Sequence, residues 1–181
     1  MTTLFVLGST RRGGNSEGLA RRAAEALSAG EARFLSLLDH EPPPFRDHRH
    51  DGADWQAPGD YLPGPLRTLH RATRDADRIV LVTPLCWYGP SWLTKLYLDW
   101  WTAWETADEG FSDALAGRAL GQVTAYSSED EAAVDALSDM LRRTSDYLGM
   151  DWMGRLCARA NAPGGWAEDA AATARARAWL A

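Results

Sequence analysis

The sequence predicts an α/β fold, with one parallel sheet covered by helices on both faces. Three observations carry this. Short apolar runs that suit buried strands recur five times along the chain. Segments of helical periodicity separate them, and such alternation implies a parallel sheet with right-handed crossovers. The 181 residues, 45% of them hydrophobic, suit a single domain spanning residues 1–181 with a sizeable core.

The elements follow in order. Leu4-Phe5-Val6-Leu7 is an apolar run ending at Gly8, a buried strand. Leu19, Ala23 and Leu27 recur at four-residue steps and mark a packed helix. Arg33 to Leu38 reads as the second strand. The polar, Pro-rich stretch from Glu41 to Pro65 reads as a loop, long for a compact domain and for that reason functional or mobile. A short helix is expected over Leu66 to Asp75. Arg78-Ile79-Val80-Leu81-Val82 is the clearest strand, stopped by Thr83-Pro84. Ser91 to Trp104 is helical in pattern, Leu120 to Tyr126 a fourth strand, and Glu129 to Leu148 a long amphipathic helix. Trp152 to Ala160 gives a fifth strand, and Ala167 to Leu180 an Ala/Arg-rich helix.

Five such strands fit a flavodoxin-like three-layer sandwich, a five-stranded parallel sheet of order 2-1-3-4-5. In that order ligands sit beyond the carboxyl ends of strands 1 and 3, where the winding reverses. Function is therefore sought after Leu7 and after Val82. Composition narrows the classes. A formal net charge of −6 argues against a nucleic-acid binder. No apolar run approaches the roughly 18 residues of a membrane span. Met1-Thr2-Thr3 leads straight into a strand with no leader pattern, so a cytoplasmic protein is expected. Cys86 and Cys157 lie too far apart for a paired or four-cysteine cluster, and a reducing compartment disfavours a disulfide between them.

The loop after strand 1 reads Gly8-Ser9-Thr10-Arg11-Arg12-Gly13-Gly14-Asn15-Ser16. Hydroxyls, glycines and arginines stand directly before a helix, whose unpaired N–H groups and positive dipole end suit phosphate. Gly13 and Gly14 permit conformations that turn N–H groups inward, and Ser9, Thr10, Asn15 and Ser16 offer side-chain hydrogen bonds. The Walker pattern fails because Asn15 stands where it needs Lys. The dinucleotide pattern fails because Thr10 stands where it needs its second Gly. A monophosphate is favoured; the bland alternative is a turn capped by Asn15 or Ser16. The loop after strand 3 reads Thr83-Pro84-Leu85-Cys86-Trp87-Tyr88-Gly89-Pro90-Ser91. Two adjacent aromatics at this edge suit a flat heteroaromatic ring; the alternative is that they fill a helix–sheet junction.

The two loops, with Leu93, Lys95 and Asp99 after the second, resemble those of NAD(P)H-dependent FMN reductases, the wider NAD(P)H-quinone oxidoreductase family and iron–sulfur flavoproteins. The resemblance implies that Ser9, Thr10, Arg11, Asn15 and Ser16 bind the FMN phosphate. It implies that Pro84, Leu85, Cys86, Trp87, Tyr88 and Gly89 line the ribityl chain and isoalloxazine, with Ser127 from a third loop after strand 4, Tyr126-Ser127-Ser128. Departures are Cys86 where an aromatic is usual and Trp100 where Arg is common. The lack of a cysteine cluster excludes the iron–sulfur branch.

The expected function is an FMN-dependent oxidoreductase that passes a hydride from NAD(P)H through bound FMN to a quinone, flavin or similar small acceptor. The alternative is a flavodoxin-like electron carrier or binding module without its own NAD(P)H reductase activity. Helix residues Trp92, Leu93, Leu96, Tyr97, Trp100, Trp101 and Trp104 make an apolar arc about twice the stripe of roughly 100° that sheet packing needs. That surplus predicts a homodimer or homotetramer, or else a broad core covered by the 41–65 loop. His40, His48, His50, Asp51 and Asp54 crowd that loop; a solvated loop is preferred over a metal site. Cys86 is either a reactive thiol or, preferably, a small apolar filler.

Overall fold

Strand β1 (Thr3–Leu7) is buried along its whole length, because alternate side chains feed two separate cores. Leu4 and Val6 point into one and Phe5 and Leu7 into the other. The computed structural model describes residues 1–47 and 64–180. Within these, β1 pairs with β2 (Ala32–Ser36) and β3 (Arg78–Val82), β3 with β4 (Ala119–Tyr126), and β4 with β5 (Asp151–Arg159). All pairs are parallel and the order is 2-1-3-4-5, as expected from the sequence.

Two layers of helices cover the sheet. On one face lie α2 (Gly64–Asp75), α3 (Trp92–Ala107), α4 (Phe111–Leu115) and α5 (Asp135–Tyr147), packed on Leu4, Ile79, Leu81 and Leu120. On the other lie α1 (Asn15–Ala24) and α6 (Ala170–Trp179), packed on Phe5, Val80, Val82 and Val123. A short 3₁₀ turn, Gly165–Glu168, precedes α6. Its Trp166 indole lies so close to α1 that a Cβ on Gly18 would come within 2.2 Å of Trp166 Nε1.

Several boundaries differ from the sequence reading. Helix α1 stops at Ala24, and Leu27 lies in the following turn, bonded back through its N–H to the Ala24 carbonyl at 3.0 Å. Strand β2 stops at Ser36, whose hydroxyl takes the Leu38 N–H and turns the chain outward. The expected helix over 129–148 is a 3₁₀ turn, Glu131–Val134, capped by Asp130, and then α5. Helix α4 was not anticipated. Its Phe111 ring reaches the core beside Trp101 and Trp104.

The tryptophan helix, α3, is corrected most. Trp101 and Trp104 are 4% and 1% exposed, packed edge-on around Tyr97 and Phe111. They are core residues and no docking surface. Trp100 is covered by the described start of the 41–65 segment: its indole N–H donates to the Pro43 carbonyl at 2.8 Å, and the Phe45 ring packs against it. Of the aromatic residues in the arc, Trp92 stays open, at 56% exposed. The surplus apolar arc is thus largely used within the chain, as the broad-core alternative expects. His48, His50, Asp51 and Asp54 lie outside the described residues.

Candidate functional site

The carboxyl ends of β1, β3, β4 and β5 open onto one cleft of about 350 Å³, within the size range of small-molecule sites. It is lined by Ser9, Thr10, Arg11, Asn15 and Ser16 from the first loop, and by Pro84, Leu85 and Cys86 from the second. Ser127 comes from the third, with Tyr126 beside it and Ala160 and Asn161 beyond β5.

The first loop ends on an open helix terminus. Gly14 is the N-cap residue of α1 and supplies no side-chain cap, so the first N–H groups of the helix have no partner within it. Glu17 takes the Gly13 N–H at 2.8 Å and holds Arg21. The two arginines of the loop differ. Arg12 forks onto Asp39, with contacts of 2.6 and 3.2 Å, and that hydrogen bond holds the Asp39 carboxyl below its ordinary range. Arg11 lines the cleft, and its guanidinium has no partner among the described residues.

Asn15 and Ser16 face the protein with their side chains. The Ser16 hydroxyl accepts the Ala125 N–H of β4 at 3.0 Å, and Asn15 Nδ2 donates to the Ala162 carbonyl at 2.9 Å. Asn15 Oδ1 is buried without a partner among the described residues. These ties fix the helix terminus against the ends of β4 and β5. What both residues offer a ligand is chiefly backbone N–H.

The second loop continues the sheet briefly: Thr83 and Leu85 donate N–H groups to the carbonyls of Val123 and Ala125. It then closes in a two-residue turn. Cys86 and Gly89 exchange both backbone hydrogen bonds, at 2.8 and 3.0 Å. Trp87 and Tyr88 occupy the two central positions with φ of 49° and 65°. Such turns favour Asn and Gly, because both positions need positive φ. Large residues there carry a backbone cost of order 1–3 kcal/mol each, and strain of this kind clusters at ligand sites. Trp87 is 96% exposed and Tyr88 63% exposed. Both stand at the rim and leave the cleft lining to Pro84, Leu85 and Cys86.

Cys86 is exposed where it lines the cleft, and desolvation still raises its thiol pKa above the ordinary value, which opposes thiolate formation. Burial also raises Tyr126, helped by the Glu131 charge. Tyr126 opens the third loop that the resemblance implies, whereas sequence reasoning missed Ala160 and Asn161. Their signal is positional: in a parallel sheet every strand's carboxyl end faces the same edge.

Residues 1–163 match the family model of NADPH-dependent FMN reductases. The chain is similar to YwqN of Bacillus subtilis (strain 168), assigned by name as an NAD(P)H-dependent FMN-containing oxidoreductase. The two are 24% identical over 169 residues, covering 91% of this chain and 88% of that protein. In fold it is similar to the Trp repressor binding protein of B. subtilis, with a TM-score of 0.78 at 18% identity, covering 99% of this chain and 98% of that one. General stress protein 14 of Treponema denticola, solved in complex with FMN, aligns with a TM-score of 0.60 at 17% identity, covering 99% and 98%. The chain belongs to the NADPH-dependent FMN reductase family, flavoprotein oxidoreductases that use FMN with NAD(P)H.

Proposed function

We propose that the chain reduces a small planar acceptor, a quinone or a free flavin, with electrons from NAD(P)H, at the cleft between the first and second loops. The observation that carries this reading is one cleft that joins an uncapped helix terminus and Arg11, unpartnered among the described residues, to the loop that bears the exposed Trp87 and Tyr88. The residues present fit FMN. Ser9, Thr10 and Arg11, with backbone N–H groups of Asn15 and Ser16, would hold its phosphate. Pro84, Leu85, Cys86 and Gly89 would border its ring, and Ser127 its third side. Bound flavin supplies two-electron redox chemistry between nicotinamide and acceptor.

The chain's own part is binding, orientation and access. The exposed faces of Trp87 and Tyr88 give a nicotinamide, and then the acceptor, an aromatic platform at one place. No described side chain needs to move a proton. A homodimer or homotetramer remains part of this reading, with Trp92 as the surface aromatic that would meet a partner copy. Steady-state kinetics test the proposal. Lines for NAD(P)H against a quinone should be parallel, because the two substrates take turns. If neither NADH nor NADPH bleaches the flavin anaerobically while dithionite does, the chain is a carrier and the reductase reading falls.

A further inference from the structure

Away from the cleft, four buried polar groups join the roots of its two loops. Gly8 opens the first loop, and its carbonyl accepts the hydroxyl of Ser91, at the end of the second, and that of Thr94 at 3.4 Å. The Ser91 hydroxyl also caps α3 by accepting the Thr94 N–H at 3.1 Å. The Ser91 N–H in turn donates to the Thr83 hydroxyl at 3.0 Å. Thr83 and Thr94 are fully buried and Ser91 is 3% exposed. The approach is so close that a Cβ on Gly8 would lie 1.8 Å from Thr94 Oγ1. None of these four residues lines the cleft. Burying hydroxyls costs free energy unless they are fully bonded, and a satisfied buried network fixes one geometry.

We infer that Ser91 and Thr94 are positioning residues that set the distance between the phosphate-gripping loop and the ring-gripping loop, so that both ends of FMN bind at once. A ligand held at two ends gains affinity only if the spacing of the grips matches it. The clamp therefore acts on FMN, which needs both loops, more than on riboflavin, which needs one. This rests on the assignment of the two loops made above.

The test is the ratio of riboflavin Kd to FMN Kd, read by flavin fluorescence for the full chain, wild type and variants. Thr94→Val keeps the shape and removes the hydroxyl. It should weaken FMN by about tenfold or more, the scale of one lost hydrogen bond to a buried group, and riboflavin far less, so the ratio collapses. Thr94→Ser restores the hydroxyl and should restore the ratio, which a simple loss of packing would not do. Ser91→Ala is the second variant, carrying the same expectation should Thr94→Val not fold. An unchanged ratio in the folded variant, or equal weakening of both flavins, overturns the clamp. A wild-type protein that binds both flavins equally overturns the loop assignment and the clamp together.

Discussion

Trp87 allows a test of the strained turn in which side-chain burial barely enters. At 96% exposure, its ring gives up about 10 Å² of the roughly 250 Å² such a side chain can bury, about 0.25 kcal/mol. What remains is backbone. Its φ of 49° costs an ordinary L-residue roughly 1–2 kcal/mol, is tolerated by Asn and is worst for a β-branched residue. Trp87→Asn and Trp87→Val remove the same exposed ring but should differ by about 1–2 kcal/mol, Asn being the more stable. For a chain of this size, 1 kcal/mol moves Tm by about 2–4 °C, so the two variants should melt roughly 2–8 °C apart. Thermal unfolding by circular dichroism without flavin reads this directly, free of ligand linkage. Equal melting temperatures, or Val above Asn, would refute the positive-φ turn as the source of strain.

Four further outcomes are expected. Arg11→Ala should weaken FMN by about ten- to a hundredfold, the worth of roughly 1.5–3 kcal/mol for a hydrogen bond to a charged group, while riboflavin titration shows almost no change; Arg12→Ala should do less, since Arg12 is spent on Asp39. His70 is buried beside Asp108, a carboxylate already matched by Arg74, so burial outweighs the Asp108 charge and lowers its pKa below the ordinary 6.5. The unfolded state then binds more protons, so stability is full above pH 6.5 and falls as pH drops below it; His70→Gln should flatten that slope in urea midpoints. The Cys86 thiol, raised by burial, should alkylate more slowly than free cysteine at neutral pH and speed up in alkali, while Cys157, pushed up to about 12, stays silent in the mass spectrum. Trp101→Arg places a charge in the core and should unfold the chain, whereas Trp92→Glu should leave it folded and lower its sedimentation coefficient if copies meet there.

The strands were legible because a sheet buried on both faces demands uninterrupted apolar runs, as in Leu4–Leu7 and Ile79–Val82. The place of the cleft was legible because a sheet of order 2-1-3-4-5 reverses its winding at the carboxyl ends of β1 and β3. Less legible was what depends on partners distant in the chain. The apolar arc of α3 announced excess hydrophobicity, but only the fold shows Trp100 meeting Pro43 and Phe45, and Trp101 meeting Phe111. Helix α4 has five residues, too few for periodicity to register. The side chains of Asn15 and Ser16 read as ligands because their type suits phosphate. Their bonds to Ala162 and Ala125 span 147 and 109 residues, beyond any local pattern.

The contact of Trp166 with Gly18 bears on how the protein matures on the ribosome. Helix α1 starts at the cleft with Asn15 and Ser16, yet part of what holds it lies in residues 164–180, beyond the segment that matches the family. Ala172, Ala176 and Leu180 close the same core, and the Arg78 guanidinium reaches the Leu180 carbonyl. A nascent chain that has emerged only through β5 still lacks the contacts that Trp166 and α6 make with α1. Until those residues arrive, the core face that Ala172, Ala176 and Leu180 close is bare apolar surface, a physical mark of an incomplete fold.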